Sequence, residues 1–138
     1  MPLKAQNSHF QVIDKNPAKD KPKDFELSAA QIIAKHFKAN IIFQRPNNGS
    51  TADLLINGTT WELKSPKGNG KNTIKNNISE ARYQSNRIII DLSRTKIPYL
   101  KAKSNALHYI KTYALHIKEL IIISKDRKVH EIMKQKWE

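Results

Sequence analysis

Thr51–Gly68, TADLLINGTTWELKSPKG, sets two short apolar runs around an Asn-Gly pair and places Asp53, Glu62 and Lys64 among Leu, Ile and Trp. Asn-Gly between apolar runs predicts a β-hairpin, because a type I′ turn needs positive φ at both central residues. Strands over 51–57 and 59–64 follow. A two-residue turn dictates the register: Ile56 opposes Thr59, Leu55 opposes Thr60, Leu54 opposes Trp61, and Asp53 opposes Glu62. Side chains alternate faces along a strand. Ala52, Leu54, Ile56, Trp61 and Leu63 form a core face. Asp53, Leu55, Thr60, Glu62 and Lys64 form the other.

In that register the Asp53 and Glu62 Cβ atoms lie about 5 Å apart, and like charges directly opposed are destabilising. A compensating cation is expected. Lys64, two residues along on the same face, offers one, and a divalent metal held by both carboxylates offers another. Mg²⁺ takes oxygen ligands, commonly one or two carboxylates completed by water and phosphate oxygens. The plainer alternative is a solvated hairpin face carrying an ordinary Glu-Lys decoration.

Around the hairpin the pattern alternates helix and strand. DFELSAAQIIAKHFKAN, from Asp24 to Asn40, predicts a first helix, with Asp24 as cap, Glu26 in the first turn, and Leu27, Ala30, Ile33 and Phe37 near one stripe. Residues 41–43 predict a short strand, followed by a turn-rich loop, QRPNNGS. SPKGNGKN, 65–72, predicts a second loop. A second helix fits NTIKNNISEARYQS, with Ile74, Ile78 and Ala81 inward. RIIIDL and ELIIIS are continuous apolar runs, expected for strands covered on both faces. A third helix fits 101–116, with Leu107, Ile110 and Ala114 at helical spacing. VHEIMKQKW ends the chain as a strand or short helix. The order α-β-β-β-α-β-α-β predicts an α/β fold with a central mixed sheet flanked by helices. The runs around the third helix are expected as parallel neighbours joined by a right-handed crossover. Residues 1–23, polar and proline-containing, read as a flexible basic arm or linker before a domain over 24–138; HFQVI, 9–13, would be a short strand or docking segment. The N-terminus has no apolar core of a Sec-type signal, and no run approaches the length of a membrane span.

The chain of 138 residues carries 25 Lys+Arg against 12 Asp+Glu, a formal charge of +13, and no cysteine. Disulfides and thiolate metal sites are excluded, and a polyanionic partner is expected, foremost nucleic acid. The lysines are spread along the chain, which favours a basic face over a basic tail.

Asp53, followed on the next strand by Glu62-Leu63-Lys64, resembles the active-site signature of the PD-(D/E)xK nuclease superfamily. The α-β-β-β-α-β order over about residues 24–92 is similar to its shared core, the restriction-endonuclease-like fold. Ala52 stands where the name-giving proline would be. Within that superfamily, the size, the basicity and WELKSP before a Lys/Asn-rich loop look most like the nuclease toxin domains of contact-dependent growth inhibition. The resemblance implies a metal-dependent endonuclease, with tRNA or other structured RNA as the favoured substrate and DNA as the alternative. Asp53 and Glu62 would ligate Mg²⁺ (or Mn²⁺ or Zn²⁺), and Lys64 would position the water and stabilise phosphate charge. Glu26 would add an acid from the first helix and Gln84 would orient a phosphate or ligand. Lys67, Lys71, Lys75 and Arg82 would contact nucleic-acid backbone. An acidic immunity protein would be the partner, residues 1–23 the tether, and the target-cell cytoplasm the place of action after secretion; without a toxin role the protein would be cytoplasmic.

Glu26 also reads as a first-turn acid facing the helix dipole, and Gln84 as a helix-end polar group. His36, His108, His116 and His130 are scattered. A metal-independent ribonuclease would need an acid-base pair such as His108 with Lys111. Tyr83, Tyr99, Tyr109 and Tyr113 would stack on bases or pack at the rim. Ser65 has no adjacent base, and no P-loop or dinucleotide motif occurs. A non-catalytic basic nucleic-acid-binding module, in which the acids are structural, is the remaining alternative.

Overall fold

A computed structural model describes residues 10–15, 21–44 and 52–134, except the Ala52 side chain. Thr51, residues 1–9 and 16–20 of the expected arm, residues 45–50 of the expected turn-rich loop and the final 135–138 lie outside the described residues. Among the described residues seven strands and three helices follow one another along the chain. The chain divides into two compact units between Thr60 and Trp61.

The first unit holds β1 (Val12–Asp14), α1 (Asp24–Phe37), β2 (Ile41–Gln44) and β3 (Ala52–Ile56). Inside the stretch expected as an arm, β1 pairs parallel with β2. β2 pairs antiparallel with β3, so that Phe43 faces Leu54 and Gln44 faces Asp53. α1 starts after Lys23, one residue before the expected cap, and ends at Phe37, where Lys38 adopts φ 54. Its buried stripe is Ala29, Ala30, Ile33 and Ala34, with Leu27 and Phe37 only half-buried. The stripe is rotated from the expected one because small alanines let the helix sit close to Ile41, Phe43, Leu54 and Ile56, all buried.

The turn after β3 has Asn57 at φ 51 and Gly58 at φ 80, the two positive values a type I′ turn requires. β4 (Thr59–Lys64) leads into the second unit, which continues with α2 (Thr73–Ala81), β5 (Arg87–Asp91), a 3₁₀ turn at Leu92–Arg94, α3 (Tyr99–Tyr113), β6 (Glu119–Ile123) and β7 (Val129–Met133). β4, β5 and β6 are mutually parallel, and β7 closes antiparallel on β6. Val129–Met133 of the last segment is therefore a strand, and the two apolar runs are the parallel neighbours expected. α3 spans 99–113, two residues earlier at its start than expected, and buries Ala102, Ala106 and Ile110. Ile74, Ile78, Ile88, Ile90, Leu120 and Ile122 join that face in one core. The alternate residues Ile89, Ile121 and Ile123 are buried too, so β5 and β6 are covered on both faces.

Candidate active site

Parallel partners at one register level present side chains to one face of a sheet. Glu62 pairs with Ile88 and Lys64 with Ile90. The two charged residues therefore project onto the face where α2 and α3 pack, with Ile88 and Ile90 beside them. Glu62 is 0% exposed and Lys64 7%. A solvated decoration of the hairpin is excluded for both, and so is the division into one core face and one polar face. Trp61 and Leu63 are buried as well, so both faces of this end of β4 are covered.

Lys64 Nζ donates to Glu80 Oε1 at 3.1 Å, and Glu80 stands on α2, largely exposed. Buried charge is tolerated where it is paired and hydrogen-bonded. Glu80 supplies that pairing from the edge of the covered face. Sequence spacing carried no hint of it, since Glu80 and Lys64 are sixteen residues apart on different elements. Asp53, in the first unit, is half-buried on β3 opposite Gln44. Its Oδ1 is shut from solvent and accepts no hydrogen bond among the described residues.

Glu26 is 8% exposed, and its Oε1 accepts from the Lys23 backbone N–H at 3.0 Å. It closes the first turn of α1, the helix-end role. Gln84 is not on an inner helix face. α2 stops at Ala81, and Gln84 sits exposed in the following turn, its N–H donating to the Ala81 carbonyl at 2.8 Å. Ala81 is the last buried residue of the helical spacing begun by Ile74 and Ile78, and the helix ends there.

The basic residues fall into two groups. Lys67 is exposed in the loop after β4, while Lys71 and the half-buried Lys75 line a cleft with His108. Arg82 points elsewhere. Its Nη1 donates to the Tyr113 carbonyl at 2.8 Å and its Nη2 to the Tyr83 hydroxyl at 2.6 Å. His116 Nε2 lies 3.1 Å from the Arg82 carbonyl oxygen. His130 stacks on Tyr99 and lies 2.9 Å from Ser124 Oγ. Asp91, fully buried at the end of β5, accepts from Ser93 N–H and hydroxyl and from Arg127 Nη1 at 2.7 Å. It ties the parallel strands to the β6–β7 turn. Among the described residues no group of three or more His, Asp or Glu gathers around one point.

A small basic α/β domain emerges, with a carboxylate and an amine sunk into the helix-covered face of its parallel strands. A profile of the contact-dependent growth inhibition CdiA C-terminal domain family matches residues 50–129. The chain belongs to that family and is a contact-dependent growth inhibition toxin domain. Its fold is similar to a solved CdiA-CT/CdiI toxin and immunity complex from Burkholderia pseudomallei, with a TM-score of 0.58, 15% identity, and coverage of 89% of this chain and 98% of that one. At that identity the likeness is one of fold. No curated protein matches the chain. No helix among the described residues is long and apolar enough to cross a membrane.

Proposed function

We propose that this toxin domain is a metal-dependent endonuclease of the PD-(D/E)xK type, cutting tRNA or another structured RNA. One observation carries the reading: Glu62 and Lys64, two residues apart on β4, are buried on one face at 0% and 7% exposure. Desolvating a carboxylate and an amine is costly even where each has a partner, so their retention favours chemistry over decoration.

Asp53 and Glu62 would hold the ion. The donor set suits magnesium, which needs only one or two carboxylates and keeps water and phosphate oxygens as its other ligands. The Asp53 oxygen that lacks a hydrogen bond is of the type such an ion takes up. When bound, a divalent ion supplies charge neutralisation on phosphate and a water more easily deprotonated. Lys64 would direct its amine at the non-bridging phosphate oxygen where charge grows. Its near-complete burial strengthens that interaction by keeping solvent screening low. Glu80 would fix the amine's position. The charge of +13 attracts the phosphate backbone.

Incubation of the purified protein with total tRNA and with plasmid DNA, with Mg²⁺ and with EDTA, tests this reading. Cleavage of tRNA that stops in EDTA supports it; cleavage undiminished by EDTA transfers the activity to a metal-independent site. His108, which lies beside Lys71 and Lys75, supports that second reading, because such a reaction needs a proton-transferring group near cations.

Delivery into the target cell fits the family. A cognate immunity protein is the expected partner, as in the Burkholderia complex, and its acidic surface would meet the basic one here. Neutralisation by a co-encoded acidic protein in a tRNA cleavage assay checks that partner.

A further inference from the structure

The second unit carries a basic cleft of about 570 Å³ lined by Lys71, Asn72, Lys75, Ser104, Asn105 and His108. These residues come from the loop leading into α2, the first turn of α2 and the middle of α3. No carboxylate lines it, so its field is positive, and its amides and hydroxyl add neutral hydrogen-bonding capacity. That combination fits a phosphate group better than it fits a metal or an apolar ligand.

The cleft is held in shape from behind. The buried Thr95 hydroxyl donates to the Gly68 carbonyl at 2.6 Å and accepts from the Ile97 N–H at 3.2 Å. Asn69 Oδ1 accepts from the Lys96 N–H at 2.7 Å, and Gly70 N–H donates to the Thr73 hydroxyl at 3.1 Å. The loop that ends in Lys71 is therefore pinned at three successive residues, which lowers the cost of ordering it around a ligand.

Along α3, Asn105, Tyr109 and Tyr113 repeat every fourth residue and so lie on one side of the helix. The stripe leads from the cleft to an aromatic platform. Tyr109 and Tyr113 ring centroids are 5.2 Å apart. The Arg82 guanidinium lies 4.7 Å from the Tyr83 ring centroid and 5.7 Å from that of Tyr109. Tyr83 and Tyr113 are 75% and 64% exposed. Exposed tyrosines braced by an arginine, next to a phosphate-binding cleft, are the parts of a platform for unpaired bases.

We infer that the α2–α3 surface is a binding track for a single-stranded stretch of nucleic acid, with a backbone phosphate in the Lys71/Lys75/His108 cleft and an unstacked base on the Tyr109/Tyr113/Arg82 platform. The track rests on the nuclease reading only in sharing its substrate. It selects looped-out or terminal nucleotides over duplex, because a paired base cannot reach the rings.

The test is fluorescence anisotropy in EDTA with two labelled probes, a single-stranded RNA oligonucleotide and an RNA duplex of equal length, over a salt series. The single strand should bind more tightly than the duplex. Lys71→Ala with Lys75→Ala should lower the slope of log affinity against log salt by about 0.7, the value for one phosphate contact on a single strand. Tyr113→Ala should weaken single-strand binding about tenfold and leave duplex binding unchanged. Lys75→Glu, at a half-exposed position, is the second charge variant, and thermal melting confirms that each variant is folded.

Unchanged slope and affinity in these variants overturn the track, as does loss of immunity-protein binding with RNA binding intact, which would make the surface a protein interface. The two readings fail separately. Normal Mg²⁺-dependent tRNA cleavage by protein whose track variants bind RNA unchanged removes the track and leaves the nuclease. Binding along the track with no cleavage in Mg²⁺ removes the nuclease and leaves the track.

Discussion

Lys64 on β4 and Glu80 on α2 are joined by a 3.1 Å contact in which the lysine side chain is 8% exposed and the glutamate 70%. The amine is thus presented from a covered face toward an outward-facing anion. The pair stabilises the fold by satisfying a largely buried amine, at about 1–3 kcal/mol. Its further consequence lies in where it holds the amine.

Glu80→Gln, which keeps an acceptor for the amine but removes the charge, should lower the melting temperature modestly while lowering the turnover rate on tRNA about tenfold, the cost seen when a partner that orients a site group is removed. The KM for tRNA should stay within error, since Lys64 acts on charge that develops during the reaction. Steady-state kinetics with melting curves on the same preparation read both. An equal fall in melting temperature and activity would make the pair structural.

Removing Arg127 isolates the role of Asp91. The carboxylate is fully buried, and Arg127 Nη1 donates to it at 2.7 Å. Arg127→Ala leaves a buried charge held only by Ser93 and should cost about 2 kcal/mol in urea unfolding, in the range for hydrogen bonds to charged groups. Cleavage by the protein that remains folded should be unaffected, because Asp91 belongs to the scaffold.

Gly58 tests the hairpin on its own. Nothing lies within 4 Å of a Cβ built there, and its φ is +80. Gly58→Ala therefore meets no clash, and its whole effect is backbone strain, about 1 kcal/mol. A larger loss in denaturant unfolding would mean that the turn is packed against something the side chain disturbs.

In the β6–β7 turn the Ser124 hydroxyl donates to Asp126 and holds its carboxyl below the ordinary value of 3.8, with Lys128 and backbone N–H groups adding to the effect. A depressed folded value means that the contribution to stability is present above pH 3.8 and fades as pH falls through the lower folded value. Ser124→Ala should move the Asp126 titration upward toward 3.8 in an NMR pH series, and no movement would assign the depression to the lysine and backbone.

The order of helices and strands was readable because each element had a strong local signal: Asn57-Gly58 for the turn, unbroken isoleucines for β5 and β6, helical spacing around Ile74 and Ile78. β1 was half-seen in HFQVI, since three residues give no periodicity to read. Helix ends were shifted where small alanines, not large apolar residues, set the buried stripe of α1 and α3. The spacing of Glu62 and Lys64 singled them out, but their burial did not follow from it. Burial came from α2 and α3 closing over the face that Ile88 and Ile90 share, a tertiary event. Glu80 was unreadable for the same reason. Gln84 failed because its inward direction needed a helix that had already ended.

Glu62→Gln keeps the shape of a fully buried side chain and removes its charge, so tRNA cleavage in Mg²⁺ by this variant tests the central claim most directly. The account predicts that cleavage falls at least a thousandfold, on the order of losing a group that supplies about 4 kcal/mol to the transition state, while tRNA affinity in EDTA and the melting temperature are retained. Wild-type cleavage by a folded Glu62→Gln protein would contradict it.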